Sequence, residues 1–178
     1  MKYIFSVLLL LLGSGCIYTP SQLALHDFGV SRATPLSSPV AISVKAPQWL
    51  SDQTIHYRLL YSSPTQVRAY TLDRWLAPVP ELFQQKLLSS GKNFNYALII
   101  QLVDFEQQFI APDKARVLVG FTAEAWSLDN TRLIGKQKFL LEQPTVTADA
   151  NGAVNGFATL TGQAADRIQQ WLNVLSNK

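Results

Sequence analysis

Three long stretches of strand-like character, Tyr96 to Phe105, Ala115 to Trp126 and Leu133 to Leu141, follow one another with little chain between them. Pro112-Asp113 separates the first pair and Asp129-Asn130 the second, and both dipeptides carry turn chemistry. Strands joined by tight turns pair with their neighbours in opposite directions, so this spacing predicts an antiparallel meander. A meander needs a partner layer for its apolar face.

Two segments with helical periodicity supply that layer. Pro78, Pro80 and Glu81 suit a helix start, and Val79, Leu82, Phe83, Leu87 and Leu88 form an apolar stripe that ends near Gly91. At the other end of the chain, Phe157, Leu160, Ala164, Ile168, Trp171, Leu172 and Leu175 recur at three- and four-residue intervals. Asp166, Arg167, Gln169, Gln170 and Asn173 fall on the opposite side. Ahead of the first helix, Val40, Ile42 and Val44 alternate up to Pro47, and Gln48 to Asp52 suit a turn or short helix. Ile55, Tyr57, Leu59 and Tyr61 then alternate opposite His56 and Arg58, and after the Ser62-Ser63-Pro64 break Val67 to Leu72 completes a hairpin. The predicted fold class is α+β: a two-layer sandwich with a mostly antiparallel sheet of about six strands and two main helices on one face.

The N-terminus carries a different signal. Lys2, the apolar run Tyr3 to Leu12 and the small residues Gly13-Ser14-Gly15 lead into Cys16, the single cysteine, which is the pattern of a bacterial lipoprotein signal. An apolar run of about ten residues is too short to span a bilayer that needs roughly 20 helical residues. Residues 1–15 are therefore expected to be a signal peptide, Cys16 the lipidated residue of the mature chain, 16–39 a tether and 40–178 the folded domain. Gly13 stands where such signals usually carry Leu, a departure that bears on the efficiency of processing. Ile17 in place of Asp favours the outer membrane, facing the periplasm. Within the Pro/Ser/Thr-containing stretch Thr19 to Pro39, Leu23 to Val30 has the character of a strand or docking segment.

Charge and side-chain inventory exclude several functions. Removing Lys2 with the signal leaves 15 − 1 = 14 Lys and Arg against 12 acids, a net charge of +2, with no basic run. A surface that tracks nucleic-acid phosphates is thereby disfavoured. The two histidines, His26 and His56, lack a G-x-S-x-G serine context, and with Cys16 acylated no thiol remains for a nucleophile or zinc site. His56 reads as a surface residue of a strand. Asp104 and Glu106 share a strand face without metal or glycosidase context and read as acids of a solvated sheet edge, and no phosphate-binding glycine loop is present. The expectation is a non-enzyme without metal or cofactor, apart from the covalent lipid on Cys16. Among the tryptophans, Trp171 belongs to the core stripe, whereas Trp49 and Trp75 read equally as core or interface residues.

Pro47-Gln48-Trp49-Leu50, Ile55-His56-Tyr57-Arg58, Tyr70 and Asp73-Arg74-Trp75-Leu76-Ala77-Pro78 stand in an order and spacing that resembles the PqiC/YmbA type of ABC-transport auxiliary lipoprotein. The likeness extends over roughly Val40 to Leu175, and its closing Gly152 to Leu175 segment is similar to the family's final helix. It implies an outer-membrane-tethered, periplasmic accessory that docks an MCE-domain protein and, through it, an inner-membrane ABC transporter moving phospholipids or other hydrophobic molecules. It is also compatible with a homo-oligomer, because MCE bridges are multimeric. Trp49, Arg58, Arg74 and Trp75 are the partner-binding candidates, since they combine residue types enriched at interface hot spots. The alternative role is a structural lipoprotein of another envelope assembly: secretion, pilus or cell wall.

Overall fold

The computed structural model describes residues 22–29 and 41–177. The expected signal peptide, Cys16 and most of the 16–39 tether lie outside the described residues. Within them the chain runs β1 (Ala24–His26), β2 (Ile42–Lys45), a 3-10 turn at Gln48–Leu50, β3 (Thr54–Leu59), β4 (Ser63–Trp75), α1 (Val79–Leu88), β5 (Ala97–Ala111), β6 (Lys114–Trp126), β7 (Leu133–Pro144) and α2 (Ala150–Ser176). The strands form one seven-stranded sheet in the order β1-β4-β3-β5-β6-β7, with β2 also on β5.

The meander β5-β6-β7 is antiparallel, as its turns require, and β3 and β4 form the expected antiparallel hairpin. Three shorter pairings are parallel. β2 runs beside the first half of β5, with Ile42 opposite Leu98, and β3 beside its second half, with Tyr57 opposite Gln107. β5 thus serves two partners in succession along one edge. A register shift between Leu102 and Asp104 marks the changeover, and such a bulge reverses which residues face the core. Leu98, Ile100 and Leu102 are buried before it, and Phe105, Gln107 and Phe109 after it.

Both helices lie on that buried face, with α2 across β6 and β7 and α1 against β2 and α2. Gly156 permits the close approach: a Cβ there would fall 2.6 Å from Val117 Cγ2 of β6. Asp149 caps α2 by accepting from the Gly152 backbone N–H at 2.8 Å, and this bond, with the Thr147 hydroxyl, holds its carboxyl below the usual carboxylate range. A partly buried relay ties the sheet to the same helix end. The Tyr70 hydroxyl donates to Gln107 Oε1 at 2.6 Å, and Gln107 Nε2 donates to the Asp149 carbonyl at 3.2 Å. Burial raises the Tyr70 phenol well above its ordinary value.

The core holds two aromatic groups. Phe105 stacks on Phe157 at 4.1 Å, with Trp75 edge-on to both and Phe28 against Trp75 at 5.1 Å. Farther along, Phe121 stacks on Phe139 at 4.9 Å, flanked by Phe83 and Trp171. Trp171 is a core residue, as its stripe predicts.

Several boundaries differ, among them the ends of β4 at Trp75 and of β7 at Pro144, past the expected Leu72 and Leu141. β4 begins at Ser63, not Val67, because a proline is tolerated near a strand start where no ladder donor is needed. β5 continues past Phe105 to Ala111, and α2 starts about two turns before Phe157. Residues 24–28 of the expected tether belong to the folded body: Ala24 to His26 pair in parallel with Asp73 to Trp75, and Phe28 is buried.

Candidate functional site

Ile55 is fully buried toward the helices, so strand alternation turns Thr54, His56 and Arg58 to the opposite, helix-free face. Arg74, paired with Thr54, joins them, and its Nη1 donates to Thr54 Oγ1 at 2.9 Å. Trp49, on the 3-10 turn, stands edge-on to His56 with ring centroids 5.7 Å apart and is 41% exposed. His56 is not the exposed residue expected from its strand position. It is half-buried, and desolvation holds its imidazole below the ordinary value against the opposing charges of Asp52 and Glu106.

From Arg58 a ladder of hydrogen bonds and one further ion pair crosses β3, β5, β6 and β7. Arg58 Nε donates to Glu106 Oε2 at 2.7 Å, and Gln108 Nε2 donates to Glu106 Oε1 at 2.8 Å. Arg116 donates to Gln108 Oε1 through Nε at 3.1 Å and Nη2 at 3.0 Å, and its Nη1 lies 3.2 Å from Glu142 Oε2. Glu106 is 4% exposed although it lies on the face without helices, so its charge is compensated by Arg58 and by the Gln108 amide. Asp104 follows along the same face. Gly120 on β6 makes room for it, since a Cβ there would sit 2.7 Å from Asp104 Oδ2. Burial, and then the Glu106 charge, push the Asp104 carboxyl above its usual range, with Arg58 opposing.

Beside Asp104 a shallow groove of about 280 Å³ is lined by Val103, Gly120, Thr122, Lys138 and Leu140. Around the β7 edge, a second groove of about 430 Å³ lies against Phe139, Arg167, Trp171 and Val174. The face therefore offers arginine forks, a half-exposed tryptophan and apolar side chains, the chemistry of recognition. Among the described residues, no three His, Cys, Asp or Glu side chains are placed to hold a metal ion.

Of the four partner-binding candidates, Trp49, Arg58 and Arg74 share this face. Trp75 does not: it is 1% exposed, on the opposite side of β4, inside the Phe28–Phe105–Phe157 cluster. It fixes the strand-to-helix junction from within. Sequence reasoning missed Gln108, Arg116 and Glu142, and read Asp104 and Glu106 as solvated. The signal lay in the Asp104-Phe105-Glu106-Gln107-Gln108 run, whose alternation continues β5 with a polar outer face.

No family model and no curated protein matches this sequence. Solved structures do match its fold. The crystal structure of protein XCC0632 from Xanthomonas campestris, assigned to family DUF330, superposes with a TM-score of 0.68 at 16% identity, covering 86% of this chain and 97% of that one. The crystal structure of an uncharacterised protein gives 0.62 at 13% identity, covering 85% and 99%.

Proposed function

We propose that this chain is an envelope lipoprotein, anchored through Cys16 at the periplasmic face of the outer membrane, that docks an MCE-domain protein belonging to an ABC system for phospholipids or other hydrophobic molecules. The observation that carries the reading is the grouping of Trp49, Arg58 and Arg74 around His56 on the sheet face without helices. Three residues singled out from separate sequence motifs meet there, with tryptophan and arginine chemistry suited to a protein partner. The lipoprotein signal supports the anchoring, and the shared fold with the DUF330 structure is in keeping with the family likeness of the sequence. Acylation at Cys16 would keep this face at high local concentration near an envelope partner.

Crosslinking of the full-length protein in its native envelope, followed by identification of the captured chains, tests the proposal. An MCE-domain protein crosslinked through the Trp49–Arg58–Arg74 face is the expected result, and Arg74→Glu should weaken that capture while leaving the far-UV spectrum unchanged. Recovery of secretion, pilus or cell-wall proteins alone would replace this reading with that of a structural lipoprotein.

A further inference from the structure

The pairing of β1 with β4 fixes how far the folded body can stand from an anchor at Cys16. From Cys16 to Leu23 there are 23 − 16 = 7 residue steps, which span at most about 25 Å at full extension. A tether ending at Pro39 would have 39 − 16 = 23 steps and reach about 80 Å. Docking of β1 therefore removes most of the reach that the sequence suggests. Phe28 in the core, Lys86 Nζ donating to the Phe28 carbonyl at 3.0 Å, and His26 Nε2 at 2.8 Å from Asp73 Oδ1 hold the strand in place.

The corner held this close presents three leucines to solvent. Leu23 and Leu25 are 50% and 56% exposed, and Leu76, just after β4, is 55% exposed. Leu25 and Leu76 line one surface depression of about 340 Å³ with Val154 and Ala158 of α2, and His26, Asp27 and Asn155 give it a polar rim suited to the headgroup level. We infer that this β1 corner rests on the bilayer surface, with Leu23, Leu25 and Leu76 at the boundary between headgroups and acyl chains. The inference builds on the proposed acylation of Cys16, and the short covalent span from that residue is what selects lipid as the occupant. Such contact adds buried apolar area to the acyl anchor and fixes the orientation of the body on the membrane.

The test uses the full-length acylated protein reconstituted into phosphatidylethanolamine–phosphatidylglycerol vesicles, carrying a nitroxide at Leu25→Cys, at Leu76→Cys or, as a control, at the fully exposed Val146→Cys. Flotation with the vesicles first reports the anchor, and loss of flotation in Cys16→Ser confirms its chemistry. Labels at 25 and 76 are expected to collide several-fold more with lipid-soluble oxygen, relative to a water-soluble nickel complex, than the label at 146. Floating protein whose labels at 25 and 76 behave like the control would overturn the corner contact and leave the anchor standing. Labels shielded from both reagents would overturn it in favour of a protein cover. Failure to float would remove the anchor, and this inference with it.

Discussion

The two faces of the sheet are built from the same strands by opposite means. On the helix-covered face Trp75, Phe105 and Phe157 pack ring against ring, and stability there rests on excluded water and filled volume. On the other face Arg58, Glu106, Gln108, Arg116 and Glu142 satisfy one another through hydrogen bonds and ion pairs, with Trp49 left half-exposed beside His56. Arg74 and Trp75 show the contrast in adjacent residues, one on each face of β4. A packed face tolerates little change, whereas a hydrogen-bonded face can exchange some of its partners for those of another molecule. That difference is why the docking proposed above is placed on the hydrogen-bonded face.

Trp75→Ala should separate the faces most sharply. Emptying its site in the aromatic cluster is expected to cost about 3–5 kcal/mol, read as a lowered urea midpoint. A loss below about 1 kcal/mol would mean that the core does not depend on this ring. Next, Arg58→Ala should cost about 1–3 kcal/mol, because it strands the Glu106 carboxylate. Arg58→Ala combined with Glu106→Gln should recover part of that loss, and a double variant no better than the single would refute the pairing.

Asp104 yields a smaller effect of opposite sign. Its native carboxyl titrates above the usual range, so the folded state binds the proton more tightly than the unfolded chain does. Stability therefore falls as pH rises from the ordinary carboxylate value through the raised native value, and the cost persists at neutral pH. Asp104→Asn should raise the urea midpoint modestly at pH 7 and flatten that slope, and an unchanged slope would assign it to other groups. Trp49→Ala should move stability least, within about 0.5 kcal/mol, because the ring is already half in solvent. Its expected effect is on crosslinking to the partner, and a large fall in thermal midpoint would instead make Trp49 a structural residue.

Much of the fold was legible because its signals are local. The Pro112-Asp113 and Asp129-Asn130 turns set the meander, and the stripe from Phe157 to Leu175 identified α2. The apolar stripe of α2 begins only at Phe157 because Ala150 to Asn155 carry little apolar signal, whereas the family likeness starts the helix at Gly152, two residues from its observed start; Gly152 and Gly156 are there for close packing. The second half of β5 was missed for another reason. The bulge after Leu102 shifts the apolar phase, and Glu106, Gln107 and Gln108 then resemble a loop until their cross-strand partners are known. The site was partly legible: its tryptophan and arginines stood out by type, but the partners that join them come from strands far apart in sequence.

Local signals are enough for the class of fold, the order of its main elements and the expectation of a lipid anchor, since alternation, helical stripes, turn dipeptides and signal composition all act over a few residues. Tertiary pairing settles that Trp75 faces the core and Arg74 the helix-free side, that Glu106 is buried between Arg58 and Gln108, and that the strand-like segment around residues 24–28 docks on β4. Those outcomes depend on register and burial, which exist once distant strands have paired.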